Sequence, residues 1–139
     1  TCALPIYRSD ERAIYVDKRR AYSGVNAICQ GTAGDIIKLA MVGIDEYLHN
    51  AATKVKPILQ IHDELVFLSG KPDKTVHRDL YVIRQIMEKA AVHYGIPCKT
   101  DLEIIRKSWD APEKYKLDLS AATKALCEQR AADIIKLVG

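Results

Sequence analysis

The apolar period of the chain changes several times along its length. From about Asp10 to Asn50 the pattern is mostly helical, with Ser9 or Asp10 available as a cap and Glu11 in the first turn. Gly24 and the stretch from Gly31 to Gly34 interrupt it, which predicts two or more helices rather than one. Beyond them Ile36, Ile37, Ala40, Met41, Ile44 and Leu48 recur at helical spacing and are expected to face a core, with Asn50 as the stop. Residues 1–9 read as a loop or a short strand ending near Leu4-Pro5. The run Ile58–Leu68 is apolar and β-rich, too long for one average strand, and its centre holds His62, Asp63 and Glu64. That combination predicts a hairpin with the polar residues at or near the bend. A further helix is expected over about Lys74–Tyr94, with the stripe Val76, Leu80, Ile83, Met87, Ala90 and Ala91, closed by Gly95 and Pro97. "CKTDLEII" alternates as a strand, and Ser120 can cap a last helix. The order gives an α+β fold: an antiparallel sheet containing a central hairpin, covered by helices on one face. The phrase "ADIIKLV" near the end echoes "GDIIKLA" at Gly34–Ala40, too little for a repeat architecture.

Composition narrows the class. The 139 residues suffice for one domain with a real core, and no apolar run approaches membrane-spanning length. The start lacks Met and a signal design, so either the beginning was removed or this is part of a longer protein. Cys2, Cys29, Cys98 and Cys127 stand far apart with no C-x-x-C pair, which argues against a zinc knuckle or disulfide framework. They read as reduced thiols in a cytoplasmic setting. The net charge is only +3, but Arg8, Arg12, Lys18, Arg19 and Arg20 crowd the first twenty residues. Two readings are open there: a field that holds phosphates, or a solvated basic helix face.

The acidic residues inside the apolar run carry the chemistry. Successive strand residues point to opposite faces, so Asp63 and Glu64 cannot both reach one metal unless the bend turns them. The simplest arrangement is Asp63 as direct ligand with Glu64 supporting it, holding Mg²⁺ with waters and substrate phosphates. A two-metal phosphoryl-transfer site needs further carboxylates, and Asp101 looks like an ordinary edge position. The plain alternative is a β-turn whose charges simply face water. Tyr22, Asn26 and Gln30 lie at i, i+4 and i+8, with Arg19 on the same side. Such an amide face suits the acceptors of a duplex minor groove, which are shared by most base pairs. A polar face that only meets water is the other option.

Together these segments resemble something specific. "NAICQGTAGDIIKLAM", Asn26–Met41, is similar to the N-A-P-x-Q-G-T-A-A-D-I-I-K-x-A-M signature of family A DNA polymerases, and "QIHDELVF", Gln60–Phe67, resembles that family's motif C. Leu4-Pro5 and Ser108–Asp110 also fall where the family has a Leu-Pro and a terminal N-W-D. The resemblance implies a C-terminal palm segment over residues 1–113, followed by a helical tail of unassigned role over 114–139. It implies Asp63 as a catalytic Mg²⁺ ligand, Glu64 assisting near the metal, His62 at the primer end, and Asn26 and Gln30 in the minor groove. The implied partners are primer-template DNA, deoxynucleoside triphosphates, and the missing polymerase segments that carry motif A and the fingers; no membrane is implied.

The sequence departs from the family at three positions. Tyr22 stands where the family usually has Arg, leaving Arg19 or Arg20 as substitutes in a different register. Leu68 replaces a frequent Glu, and Gly34 replaces an Ala. Nothing between Thr1 and Asp10 can replace motif A or the fingers helix, so the isolated chain is expected to be inactive. Two rivals follow: a non-catalytic DNA-binding or assembly module derived from a polymerase, and a phosphohydrolase using His62-Asp63 with His49 or His77.

Overall fold

Thirty residues from Ala21 to Asn50 form one helix, α1. The expected break at the glycines does not occur. None of Gly24, Gly31 and Gly34 has a positive φ, and glycine within a helix lowers stability by only about 1 kcal/mol relative to Ala, which the long run of Ala, Ile and Val around them offsets. The computed structural model describes residues 6–7, 14–15, 21–106 and 112–139. Leu4-Pro5, the Ser9, Asp10 and Glu11 cap, Arg19, Arg20, Cys2 and Ser108–Asp110 lie outside the described residues.

Two compact units divide the chain, Thr1–Asp35 and Ile36–Gly139. In the first, β1 (Ile6–Tyr7) pairs antiparallel with β2 (Ile14–Tyr15). The helical reading of 10–20 therefore fails at Ile14–Tyr15, where a β-branched residue beside an aromatic one favours a pleated pair. The early strand lies just after Pro5 rather than ending on it.

The second unit holds the core. Its elements are the C-terminal part of α1, a hairpin of β3 (Lys56–Ile61) and β4 (Glu64–Leu68), α2 (Lys74–His93), the short pair β5 (Glu103–Ile104) and β6 (Glu113–Lys114), and α3 (Ala121–Val138). The α+β class stands; all strand pairs are antiparallel, in three two-stranded ribbons. Ile37, Ala40, Ile44 and Tyr47 from α1 are buried against Val76, Val82, Ile83, Ile86 and Ala90 of α2 and Cys127, Ala131 and Ile135 of α3. Leu65 and Phe67 of β4 pack on the same cluster. Met41, expected inside, is exposed at the flank of the stripe; Tyr47 takes the inward position instead.

Local chemistry sets the element ends. Asp73 caps α2, its carboxylate accepting the Val76 N–H at 2.8 Å. That hydrogen bond first, and Lys54 second, hold the Asp73 carboxyl below its usual range. At the other end Gly95 (φ 74°) donates to Val92 O and Ile96 to Ala91 O, the paired bonds of a Schellman stop. Ser120 caps α3 as expected.

Helices approach closely at Gly43. A Cβ there would sit 3.0 Å from Ile86 Cγ2 and 3.2 Å from Ile135 Cδ1. Around this crossing lies a polar cluster. The fully buried Asp79 accepts the Tyr47 hydroxyl at 2.7 Å and Arg78 Nη2 at 3.1 Å, while its Oδ2 has no partner among the described residues. Burial first, then the Asp79 bond, drives the Tyr47 hydroxyl well above its ordinary pKa. Arg130 of α3 stacks over the Tyr47 ring, 4.7 Å from its centroid. Tyr81 donates to Glu128 at 2.7 Å; burial and that bond push its pKa from 10.0 up to about 12.

The stretch Ser23–Asn50 is long and apolar enough to cross a membrane by length and composition, with a mean hydropathy of 1.3 over its best window. This corrects the reading that no segment approaches that length: Ala, Ile and Val spread between small residues sum to it without forming one unbroken run. Its portion from Ile37 onward supplies a stripe to the core just described.

Candidate functional site

The run Ile58–Leu68 folds back on itself where its polar residues fall. Ile61 pairs with Glu64 as the last rung, leaving His62 and Asp63 as a two-residue turn. His62 has φ 52° and is the one non-glycine residue with positive φ among the described residues. Positive φ at the first turn position and not at the second is the sign pattern of a type II′ turn, which suits the right-handed twist of hairpins. For a residue with a side chain this region costs about 1–2 kcal/mol, although His is enriched there. The Gln60 amide Nε2 donates to the His62 carbonyl at 3.1 Å.

His62, Asp63 and Glu64 are all exposed. Among the described residues neither carboxylate has a hydrogen bond or an ion pair, whereas Asp101 and Asp73 are joined to Lys114 and Lys54. The turn thus offers hard anionic oxygens to whatever approaches from outside. That donor type fits Mg²⁺. The set is incomplete, because no group of three or more metal-ligating side chains occurs among the described residues. As a metal site it is a half-site needing waters, phosphates and a further carboxylate.

The remaining sequence-derived candidates separate into two places. Asn26 and Gln30 belong to the Thr1–Asp35 unit, both exposed on α1 and one helical turn apart. Arg19 and Arg20 lie outside the described residues, as does the Tyr22 side chain. The histidines that a phosphohydrolase would need are engaged elsewhere. His77 Nε2 contacts the Tyr115 hydroxyl at 2.8 Å and its Nδ1 accepts the Asp118 N–H at 3.3 Å; His49 Nδ1 lies 3.3 Å from Asp45.

Two features of the hairpin escaped the sequence reading. The register slips between Pro57 and Leu59, a bulge that leaves Ile58 exposed. A groove of about 520 Å³ also runs between Met41, Val42 and Asp45 of α1 and Leu59, Val66 and Phe67 of the hairpin. The exposed Ile58, Leu59 and Leu68 were a usable signal, since a sheet face rich in large apolar residues seldom meets water alone.

A hairpin that presents an unpartnered Asp-Glu pair, followed by a capped helix, is the context in which the family signature has meaning. The chain belongs to DNA polymerase family A, whose sequence profile matches residues 3–111. Among its relatives, DNA polymerase I of Mycobacterium bovis is 42% identical over 109 residues, which is 78% of this chain and 11% of that protein. DNA polymerase I of Rhizobium leguminosarum is 33% identical over 111 residues, covering 76% of this chain and 10% of the relative. That of Chloroflexus aurantiacus is 31% identical over 86 residues, 62% and 9% respectively. The chain thus spans about a tenth of the length of these curated relatives. No solved structure matches.

Proposed function

We propose that this chain supplies part of a DNA-directed DNA polymerase and works in template-directed nucleotidyl transfer together with polymerase segments that carry motif A and the fingers. The observation that carries the reading is the exposed His62-Asp63 turn inside the family-matched region, with both adjacent carboxylates unpartnered. In this proposal Asp63 holds Mg²⁺ and Glu64 supports it. When bound, the metal would polarise the phosphate under attack and neutralise developing charge. His62 lies against the primer end. Asn26 and Gln30, with Arg19 or Arg20, grip the primer-template duplex through its minor groove and phosphates. Deoxynucleoside triphosphates bind only in the complete assembly. The apolar groove and the exposed Ile58, Leu59 and Leu68 support a chain that functions covered by further protein, and the free thiols Cys29, Cys98 and Cys127 agree with a cytoplasmic setting.

The test is a chimera in which residues 3–111 replace the matching segment of a mycobacterial DNA polymerase I. Primer extension is expected, and Asp63→Ala should cut it by about a thousandfold or more while sparing duplex binding. Near-normal extension by that variant would discard the site. A second reading, a non-catalytic duplex-binding module, is favoured by the absence of a three-ligand metal cluster among the described residues. It predicts duplex binding by a chimera that never extends, with or without Asp63.

A further inference from the structure

Gln60 occupies a position where the sheet pattern calls for an apolar side chain. It pairs directly with Leu65, so the two share a face of the hairpin, and Leu65 packs against the helical core. Its neighbours Leu59 and Ile61 are apolar as well. The side chain is nonetheless exposed, and its one hydrogen bond runs forward to the carbonyl of His62 at 3.1 Å. That carbonyl belongs to the peptide whose nitrogen is Asp63. A peptide unit is planar, so holding its oxygen fixes the plane from which the Asp63 side chain departs. The same bond closes over the one non-glycine residue of positive φ among the described residues, a conformation that persists only where surrounding contacts hold it.

We propose that Gln60 is a positioning residue: its amide clamps the His62 carbonyl, keeps His62 at positive φ and so sets the direction in which Asp63 presents its carboxylate. Gln60 touches no reactant. The metal half of this inference rests on the reading of Asp63 as a ligand; the clamp itself does not.

Both halves can be read on the intact chain by NMR, with Mn²⁺ as the probe metal. In the unaltered chain His62 should show the short intraresidue HN–Hα distance of positive φ, and Mn²⁺ should broaden the Asp63 and Glu64 amides. Gln60→Leu, which keeps the bulk and removes the donor, should lose the His62 signature and weaken Mn²⁺ binding about three- to tenfold. Gln60→Glu should behave like Gln60→Leu at neutral pH and regain the signature near pH 4, where the protonated acid donates again. Adding His62→Gly to Gln60→Leu should restore Mn²⁺ binding, since glycine adopts positive φ without help. An unchanged His62 signature in Gln60→Leu overturns the clamp. A lost signature with unchanged Mn²⁺ affinity overturns the positioning role. If Mn²⁺ broadens nothing in the unaltered chain, the metal reading of the turn fails and takes the positioning role with it, while the His62 signature still decides the clamp.

Discussion

Two aspartates of the Ile36–Gly139 unit sit among apolar residues and have opposite fates. Asp79 projects from the core face of α2, fully buried, with Tyr47 and Arg78 donating to one of its oxygens. Asp63 stands at the tip of the β3–β4 hairpin, exposed, with no partner among the described residues and a strained histidine beside it. A buried carboxylate is tolerable only when its own chain supplies donors. An exposed one gains little from folding, so a strained turn that displays it is explained by something outside the chain. The difference teaches where each residue acts: Asp79 in the packing of α1 on α2, Asp63 in contact with whatever the hairpin meets.

That contrast can be broken by substitution, beginning with the largest effect on folding. Asp79→Ala leaves the Tyr47 hydroxyl buried without an acceptor and opens a cavity, and it should lower unfolding free energy by about 3–5 kcal/mol in a urea titration. Asp63→Ala in the same assay should fall within about 0.5 kcal/mol of the parent, as surface substitutions usually do. Comparable losses at the two positions would remove the distinction.

His62→Gly sharpens the comparison from the other side. It removes the positive-φ penalty of about 1–2 kcal/mol, partly offset by the extra freedom of glycine in the unfolded chain. The expected outcome is unchanged or slightly raised stability with reduced primer extension in the chimera. A clear loss of stability would mean that the turn is not strained.

The smallest effect is on the alkaline side. Tyr81 has its folded-state pKa raised from 10.0 to about 12, by burial and then by Glu128. A raised pKa adds stability that is fully present below pH 10 and is lost as pH rises toward 12. Tyr47 shifts in the same direction. Tyr81→Phe should therefore flatten the fall of melting temperature between pH 10 and 12. A slope equal to the parent's would show that the Tyr81–Glu128 contact does not persist in solution.

Much of this was legible in the residues. Ser120, Gly95 and the apolar stripe of α2 marked their elements because caps and helical period act locally. The hairpin bend was legible for the same reason: three polar residues interrupt an overlong apolar run. Continuity of α1 was not, because three glycines in one helix are outweighed by the many neighbours that favour it. The strand at Ile14–Tyr15 was missed because a two-residue strand carries too little periodicity to read. Asp79 gave a signal that went unused, since it falls three residues after Val76 and four before Ile83, on the core stripe itself. Gln60 gave a weaker one, a lone amide in an apolar strand. The groove beside Leu59 and Phe67 depends on how α1 meets the hairpin, a tertiary fact that no local pattern contains.

The central claim is that the turn displays Asp63 for a divalent cation. Paramagnetic broadening by Mn²⁺, mapped over the backbone amides of the intact chain, tests it most directly. The account predicts broadening centred on His62–Leu65, absent around Asp79, and abolished by Asp63→Asn. Broadening centred on another acidic pair such as Asp45-Glu46, or surviving Asp63→Asn undiminished, would contradict it.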